Sequence, residues 1–263
     1  MATYLDRILE DHRATAAADT RSLDQLIDDA AEVAPTRGFS EALRSAPSLG
    51  VIAEVKRRSP SKGDLFPDLD PAVLSNEYKA GGAACCSVLT DEAWFGGSVA
   101  DLQAVRAAVD LPIIRKDFTV SAHDVVDTRI MGADCVLLIV AALDDAELAD
   151  FHALATELTL DVLVEVHDEA EAERAHNVGA TLLGVNQRDL VTFEVDTARA
   201  VRVASSMPAE VVRVAESGIK GPQDIPALVA AGFDAVLVGE SLVTHSGPED
   251  GVRALIDAAA TAR

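Results

Sequence analysis

The chain has 263 residues, 49% hydrophobic but only 4% aromatic, so its core must be built from Val, Leu, Ile and Ala. Its 44 acidic and 22 basic residues give a formal net charge of -22, which disfavours nucleic acid and anionic membrane surfaces as partners. No apolar run reaches transmembrane length, and the start, MATYLDRILEDHR, lacks the apolar stretch of a signal peptide.

The basic residues are five Lys and seventeen Arg, so each lysine is a rare feature. A Lys-poor, acid-rich surface suits a high-salt cytoplasm, where screening is strong. Cys85, Cys86 and Cys135 lie in apolar runs with no metal or redox spacing. They read as buried small hydrophobes in a cytoplasmic protein.

Residues 1–48 read as an N-terminal helical extension. Leu5, Ile8 and Leu9 fall on one helical face, Ser22 with Gln25 reads as a capping box, and Pro35 to Gly38 break the pattern. From residue 49 the chain alternates. Apolar runs predict strands at 50–55, 84–89, 111–115, 134–140, 161–166, 181–186, 210–215 and 234–238. Helical runs are predicted at 71–80, 98–109, 121–131, 144–158, 168–178, 196–205, 222–231 and 248–262. Several helices exit through glycine, as in AGGA at 80–83 and AGFD at 231–234. Eight nearly continuous apolar strands, each followed by a helix, indicate parallel strands buried on both faces. The predicted fold is one α/β domain over 49–263, a (β/α)₈ barrel, with the helical extension packed on it. A doubly wound sheet is disfavoured because the first strand-to-helix turn carries no glycine-rich dinucleotide pattern.

Active sites of such barrels sit at the C-terminal ends of the strands. There the sequence collects Glu54, Lys56 and Ser59 after strand one, and Arg115, Lys116 and Phe118 at strand three. It adds Glu165 at strand five, Asn186 and Arg188 at strand six, and Glu216 at strand seven. Alternation puts Glu54 with Lys56, and Asn186 with Arg188, on shared faces. Crowded ionisable groups perturb one another, so a Lys can act as acid. A Glu against apolar walls such as Leu163 and Leu138 is expected to be raised toward neutral pH, where it can act as base. The glycine turns Glu216-Ser217-Gly218 and Gly239-Glu240-Ser241 follow strands seven and eight, where barrels commonly hold phosphate on backbone N–H groups.

Other polar residues have structural readings. His167 is expected to cap the next helix, and Asp117 and Asp189 to orient loops. Trp94 and Phe95 wall the mouth. His12, His123, His152, His176 and His245 show no convergent partners, so no metal site is expected.

Seven segments in order then carry a resemblance: IAEVKRRSPSKG (52–63), SVLTDEAWFGGS (87–98), RKDF (115–118), LVEVH (163–167), GVNQRDL (184–190), ESGI (216–219) and VGESL (238–242). The chain resembles the indole-3-glycerol-phosphate synthases of tryptophan biosynthesis. The resemblance implies ring closure of 1-(2-carboxyphenylamino)-1-deoxyribulose 5-phosphate with loss of CO₂ and water, and no cofactor. It implies Lys116 as general acid and Glu165 as general base, with Lys56 pairing a substrate anion and sharing acid duty. Glu54 and Asn186 would position the substrate hydroxyls and Lys56. Ser59 and Arg188 would lie near the carboxylate, with Glu216 at the substrate. Phe95, Phe118, Leu138 and Leu190 would line an aromatic pocket, and Ser217, Gly218, Gly239, Glu240 and Ser241 would hold the phosphate. Gln187, Val243 and Arg58 depart from the family pattern; Gln187 is expected to turn away from the mouth. The implied partner is a phosphorylated small molecule, and the expected state is a monomer or weak homo-oligomer. Two other readings share the barrel: a phosphosugar isomerase or aldolase with a Schiff base on Lys116, and a non-catalytic phosphate-ligand sensor. The mobile first loop expected around Ser61-Lys62-Gly63 suits an enzyme that gates its site.

Overall fold

A computed structural model describes residues 3–59, 62–189, 191–244 and 247–262. Eight parallel strands close into a barrel in chain order: β1 (Gly50–Val55), β2 (Cys85–Leu89), β3 (Ile113–Lys116), β4 (Cys135–Ile139), β5 (Asp161–Val166), β6 (Leu182–Asn186), β7 (Val212–Glu216) and β8 (Ala235–Val238), with β8 pairing back onto β1. The chain is thus a (β/α)₈ barrel, as the alternation predicts. Almost every strand residue is buried, because helices cover the outside and side chains fill the inside.

The outer helices start where their caps dictate. Asp70 accepts from Ala72 and Val73 N–H, Pro71 supplies a preset first turn, and Gly82 ends the helix in the left-handed region at φ 93°. The outer layer includes α4 (Pro71–Gly81), α6 (Val99–Ala108), α7 (Ala122–Ile130), α8 (Asp145–Glu157), α9 (Glu169–Asn177), α10 (Arg199–Ala204), α11 (Ile225–Ala230) and α13 (Pro248–Ala262). Two short helices sit on the loops at the mouth: α5 (Glu92–Phe95) after β2 and α12 (Glu240–Thr244) after β8.

The extension covers both ends of the barrel. Its helix α1 (Tyr4–Ala18) carries Leu5 and Ile8 onto the C-terminal mouth, and Arg13 ties it to Glu147 Oε1 at 2.7 Å and to the Ala142 carbonyl at 3.0 Å. Helix α2 (Leu23–Ala31) packs Leu26 and Ala30 on Val126 of α7. Helix α3 (Phe39–Arg44) closes the opposite end: Phe39 and Leu43 are buried, and Ser40 N–H donates to Asp161 at the start of β5. The full capping box lies at Thr3 and Asp6, whose side chains bond each other's backbone N–H. At Ser22 only half forms, since the Gln25 side chain donates to Asp29 instead.

Candidate active site

A cavity of about 730 Å³ opens at the C-terminal ends of the strands, under α1. Strand register decides what lines it. Leu89 lies beside Lys116, Ile139 beside Glu165, and Asn186 beside Glu216 beside Leu237. These residues ring the cavity floor, and alternate residues point inward.

The centre of the floor is one charged network. Lys116 Nζ donates to Glu165 Oε2 at 2.9 Å and lies 3.7 Å from Glu216 Oε2. Asn186 Nδ2 donates to Glu165 Oε1 at 2.9 Å, and Asn186 Oδ1 accepts the Arg188 backbone N–H at 3.0 Å. Lys56 pairs with Glu54 beside this group. Gly184 makes room: a Cβ there would lie 2.0 Å from Glu216 Oε1. Gly239 does the same for Glu54, whose Oε1 would lie 2.7 Å from a Cβ.

Burial lowers the Lys116 pKa, but the charges of Glu165, Glu216 and Glu54 outweigh it and push the pKa up. Lys116 is therefore held cationic. Burial alone would raise Glu165; the charges of Lys116 and His167 and the Asn186 hydrogen bond reverse this and hold it ionised. Glu216 goes the other way: burial, and then the negative charge of Glu165, push its pKa up. This corrects the sequence expectation, which gave the raised carboxyl to Glu165. The difference lies in partners, because Glu165 has three that favour its charge while Glu216 Oε1 is buried with no hydrogen-bond partner among the described residues.

The remaining predicted residues divide as follows. Ser59, Phe95, Phe118 and Arg188 line the cavity with the charged group. Phe95 and Phe118 lie 6.3 Å apart, centroid to centroid, at one end. Ser217, Gly218, Gly239, Glu240 and Ser241 line the other end, with Ser217 and Gly218 both left-handed at φ 65° and 75°. Leu138 is the exception. It registers with Val164, in the outward set, while Leu137 and Ile139 register with Leu163 and Glu165 and face the cavity. The sequence reading slipped by one residue on β4, and a one-residue slip exchanges the two faces. Leu190, Ser61 and His245 lie outside the described residues.

Three structural readings also need revision. His12 does have convergent partners: its Nε2 lies 2.8 Å from Asp91 Oδ2 and 3.9 Å from Asp117 Oδ1. His167 does not cap α9: Asp168 does, accepting the Glu171 N–H, while His167 bonds the Glu171 side chain at 3.0 Å and its Nε2 lies 3.7 Å from Glu165 Oε1. Gln187 turns away from the mouth as expected, but its Nε2 donates to the Ser217 carbonyl at 2.7 Å and so braces a cavity turn. Lys62 was not singled out as a site residue; it lines the cavity and pairs with Glu240.

A family model described as indole-3-glycerol phosphate synthase matches residues 5–255. The chain belongs to the indole-3-glycerol phosphate synthase family. It is accordingly an enzyme, a carbon–carbon lyase of tryptophan biosynthesis. Curated relatives named indole-3-glycerol phosphate synthase include one from Nocardioides sp., 54% identical over 94% of this chain and 92% of its own length. Indole-3-glycerol phosphate synthase 1 of Streptomyces coelicolor is 50% identical over 97% of this chain and 96% of its own. Among solved structures, a thiamine phosphate pyrophosphorylase from Pyrococcus furiosus superposes with a TM-score of 0.62 at 17% identity, covering 81% of this chain and 96% of that one. At that identity the likeness concerns the barrel fold alone. The cavity suits the family's phosphorylated substrate, with aromatic side chains at one end, glycine turns at the other and charge between.

Proposed function

We propose that the cavity floor carries the family's ring closure with Lys116 as general acid and Glu165 as general base. The observation that carries this is the position of Lys116 Nζ, part-buried on the cavity lining and within 4 Å of both Glu165 and Glu216. The substrate spans the cavity with its carboxyphenyl ring between Phe95 and Phe118 and its phosphate at the Ser217-Gly218 and Gly239-Glu240-Ser241 turns. The ribulose carbonyl then lies at Lys116. The ammonium donates its proton as the ring carbon bearing the carboxylate attacks that carbonyl, and stabilises the developing alkoxide. The C–COO⁻ bond breaks next; its electron pair restores the ring and CO₂ leaves. The new hydroxyl leaves as water, taking a proton from Lys56, while the carbon beside the nitrogen gives up its proton, and the pyrrole is complete. Glu165, held ionised, takes the proton released in that step. Lys56 and Arg188 supply positive charge for the substrate's anions, which a chain of net charge -22 must build locally. Glu54 orients Lys56, Asn186 orients Glu165, and Glu216 accepts or donates at a substrate hydroxyl.

The direction of the Lys116 shift speaks against a Schiff base. A nucleophilic amine must be neutral, which calls for a lowered pKa, whereas Lys116 is pushed up. We take the enzyme to act in the cytoplasm, a reading supported by three buried free cysteines.

The test is direct. The purified protein is mixed with 1-(2-carboxyphenylamino)-1-deoxyribulose 5-phosphate and indole fluorescence is followed. The expected result is a rise that disappears in Lys116→Ala. A folded Lys116→Ala protein with wild-type turnover would overturn the assignment.

A further inference from the structure

The proposed function leaves the group formed by His12, Asp91 and Asp117 unexplained. Leu5, Ile8 and His12 lie on one face of α1, spaced three and four residues apart, and all three meet the barrel mouth. The His12 ring lies 5.5 Å from the Phe118 ring. Its Nε2 bonds Asp91 Oδ2 and lies close to Asp117 Oδ1.

Each carboxylate fixes the backbone of an aromatic residue. Asp91 Oδ1 accepts Trp94 N–H at 2.6 Å and Phe95 N–H at 3.3 Å, so it caps α5. Asp117 Oδ1 accepts Phe118 N–H at 2.9 Å, and its Oδ2 is held by Arg115 and Thr90. Every one of these four oxygens already meets a donor. The group is a hydrogen-bonded clasp, and not an open set of metal ligands.

We propose that His12 is a positioning residue for the aromatic end of the substrate cavity, clasping α1 to Asp91 and Asp117 so that Phe95 and Phe118 are held at the spacing the substrate ring needs. The proposal deepens the functional reading above and rests on its placement of the carboxyphenyl ring. The clasp is strongest with His12 protonated. Burial works against the charge, but the Asp91 hydrogen bond and the charges of Asp117, Asp91 and Asp124 push the His12 pKa up. Arg115, on the far side of Asp117, shares that carboxylate. Asp91 is held low despite its burial, chiefly by the His12 hydrogen bond. Both partners thus favour the ion pair. It is fully present below the ordinary histidine pKa and is lost as pH rises through the raised value.

The experiment compares wild type, His12→Gln and His12→Leu. Gln keeps a donor without a titrating charge; Leu removes the donor. His12→Leu should raise KM about fivefold with a much smaller change in kcat, as expected for loss of one part-buried ion pair that acts on binding. In wild type, KM should climb as pH passes through the His12 pKa, and in His12→Gln that limb should vanish. A second readout needs no turnover. Trp94 is the only tryptophan and its backbone N–H is held by Asp91, which His12 also bonds, so its emission should titrate with His12 in wild type and stay flat in His12→Gln. Unchanged KM in a folded His12→Leu protein, or a Trp94 titration that persists in His12→Gln, would overturn the proposal. A wild-type protein that titrates as described but does not close the indole ring would instead refute the functional reading.

Discussion

Lys116 Nζ lies 3.7 Å from Glu216 Oε2, yet the two do not form the dominant pair of the floor; Glu165 takes the shorter contact at 2.9 Å. One cation therefore serves two buried carboxyls. It holds the nearer one ionised and leaves the farther one prone to carry a proton. The ionised and the proton-prone carboxyl differ by under an ångström in distance to Lys116 and by the Asn186 hydrogen bond to Glu165.

Removing the cation should be costly twice over. Lys116→Met takes away the proton donor, and turnover should fall by about 10²–10⁴-fold or more. It also leaves two carboxyls facing each other without the cation they share, with only His167 near Glu165. Breaking one side of a buried ion pair costs about 3–5 kcal/mol unless the survivors take up protons. The carboxyls will do so, and their pKa values then lie above those of the unfolded chain. The variant's melting temperature should therefore fall as pH rises, more steeply than wild type's. Thermal melts across pH check this, and parallel wild-type and variant curves would contradict it.

The two glutamates should respond oppositely to amide replacement. Glu216 already leans toward the neutral form, so Glu216→Gln removes little charge and should fold with stability within about 1 kcal/mol of wild type at neutral pH. The raised pKa of Glu216 makes the folded state hold a proton that the unfolded chain has released. That contribution is lost as pH rises from the ordinary glutamate range to the raised value of about 8, so Glu216→Gln should flatten the loss of stability across that window. Glu165 is depressed, so its contribution is present above its unfolded pKa and lost as pH falls through the folded one. Glu165→Gln should lower kcat more than it raises KM, and should weaken the acid-side dependence. Calorimetry and steady-state rates on both variants decide the matter; matching profiles would sink the distinction.

Much of this arrangement was legible in the chain. Short apolar runs, most of them ended by charge, located the strands, because a parallel strand buried on both faces is mostly apolar until it reaches the mouth. Glycines at helix exits marked the return points. What could not be read was anything set by a distant neighbour. Parity along the six apolar residues before Ala141 is uninformative, since each would suit either face, so Leu138 was taken for Leu137 or Ile139. Which carboxyl is raised depends on Asn186 and His167, one of which lies a whole βα unit beyond Glu165. His12 meets Asp91 across 79 residues of sequence, with no spacing rule to join them.

Gln187 illustrates a residue whose role comes from the turn it braces. Ser217 is held at φ 65°, a conformation that side-chain-bearing residues rarely adopt, so something must fix the turn. Gln187 binds it twice, through its backbone N–H to the Glu216 carbonyl at 2.9 Å and its side chain to the Ser217 carbonyl at 2.7 Å. Gln187→Ala keeps the first bond and loses the second, a loss of about 1 kcal/mol. Spent on the phosphate end, that is about a fivefold rise in KM, with inorganic phosphate inhibiting more weakly and kcat nearly unchanged. A normal KM with a reduced kcat would place Gln187's influence on the charged floor instead.

The acidic surface should make stability depend on salt. A net charge of -22 on 263 residues is self-repelling, and the repulsion between exposed carboxylates is screened within about 10 Å at 0.1 M salt. The floor network is buried and is screened far less, so salt should act on the fold as a whole before it acts on the chemistry. Circular dichroism during dialysis to low salt should show loss of helical signal, and the melting temperature should climb as salt is restored. Rates measured in protein that remains folded should vary less steeply than the melting temperature. A spectrum unchanged at low salt would show that the carboxylate surface is adequately hydrated without counterions, and would remove the argument for a high-salt setting.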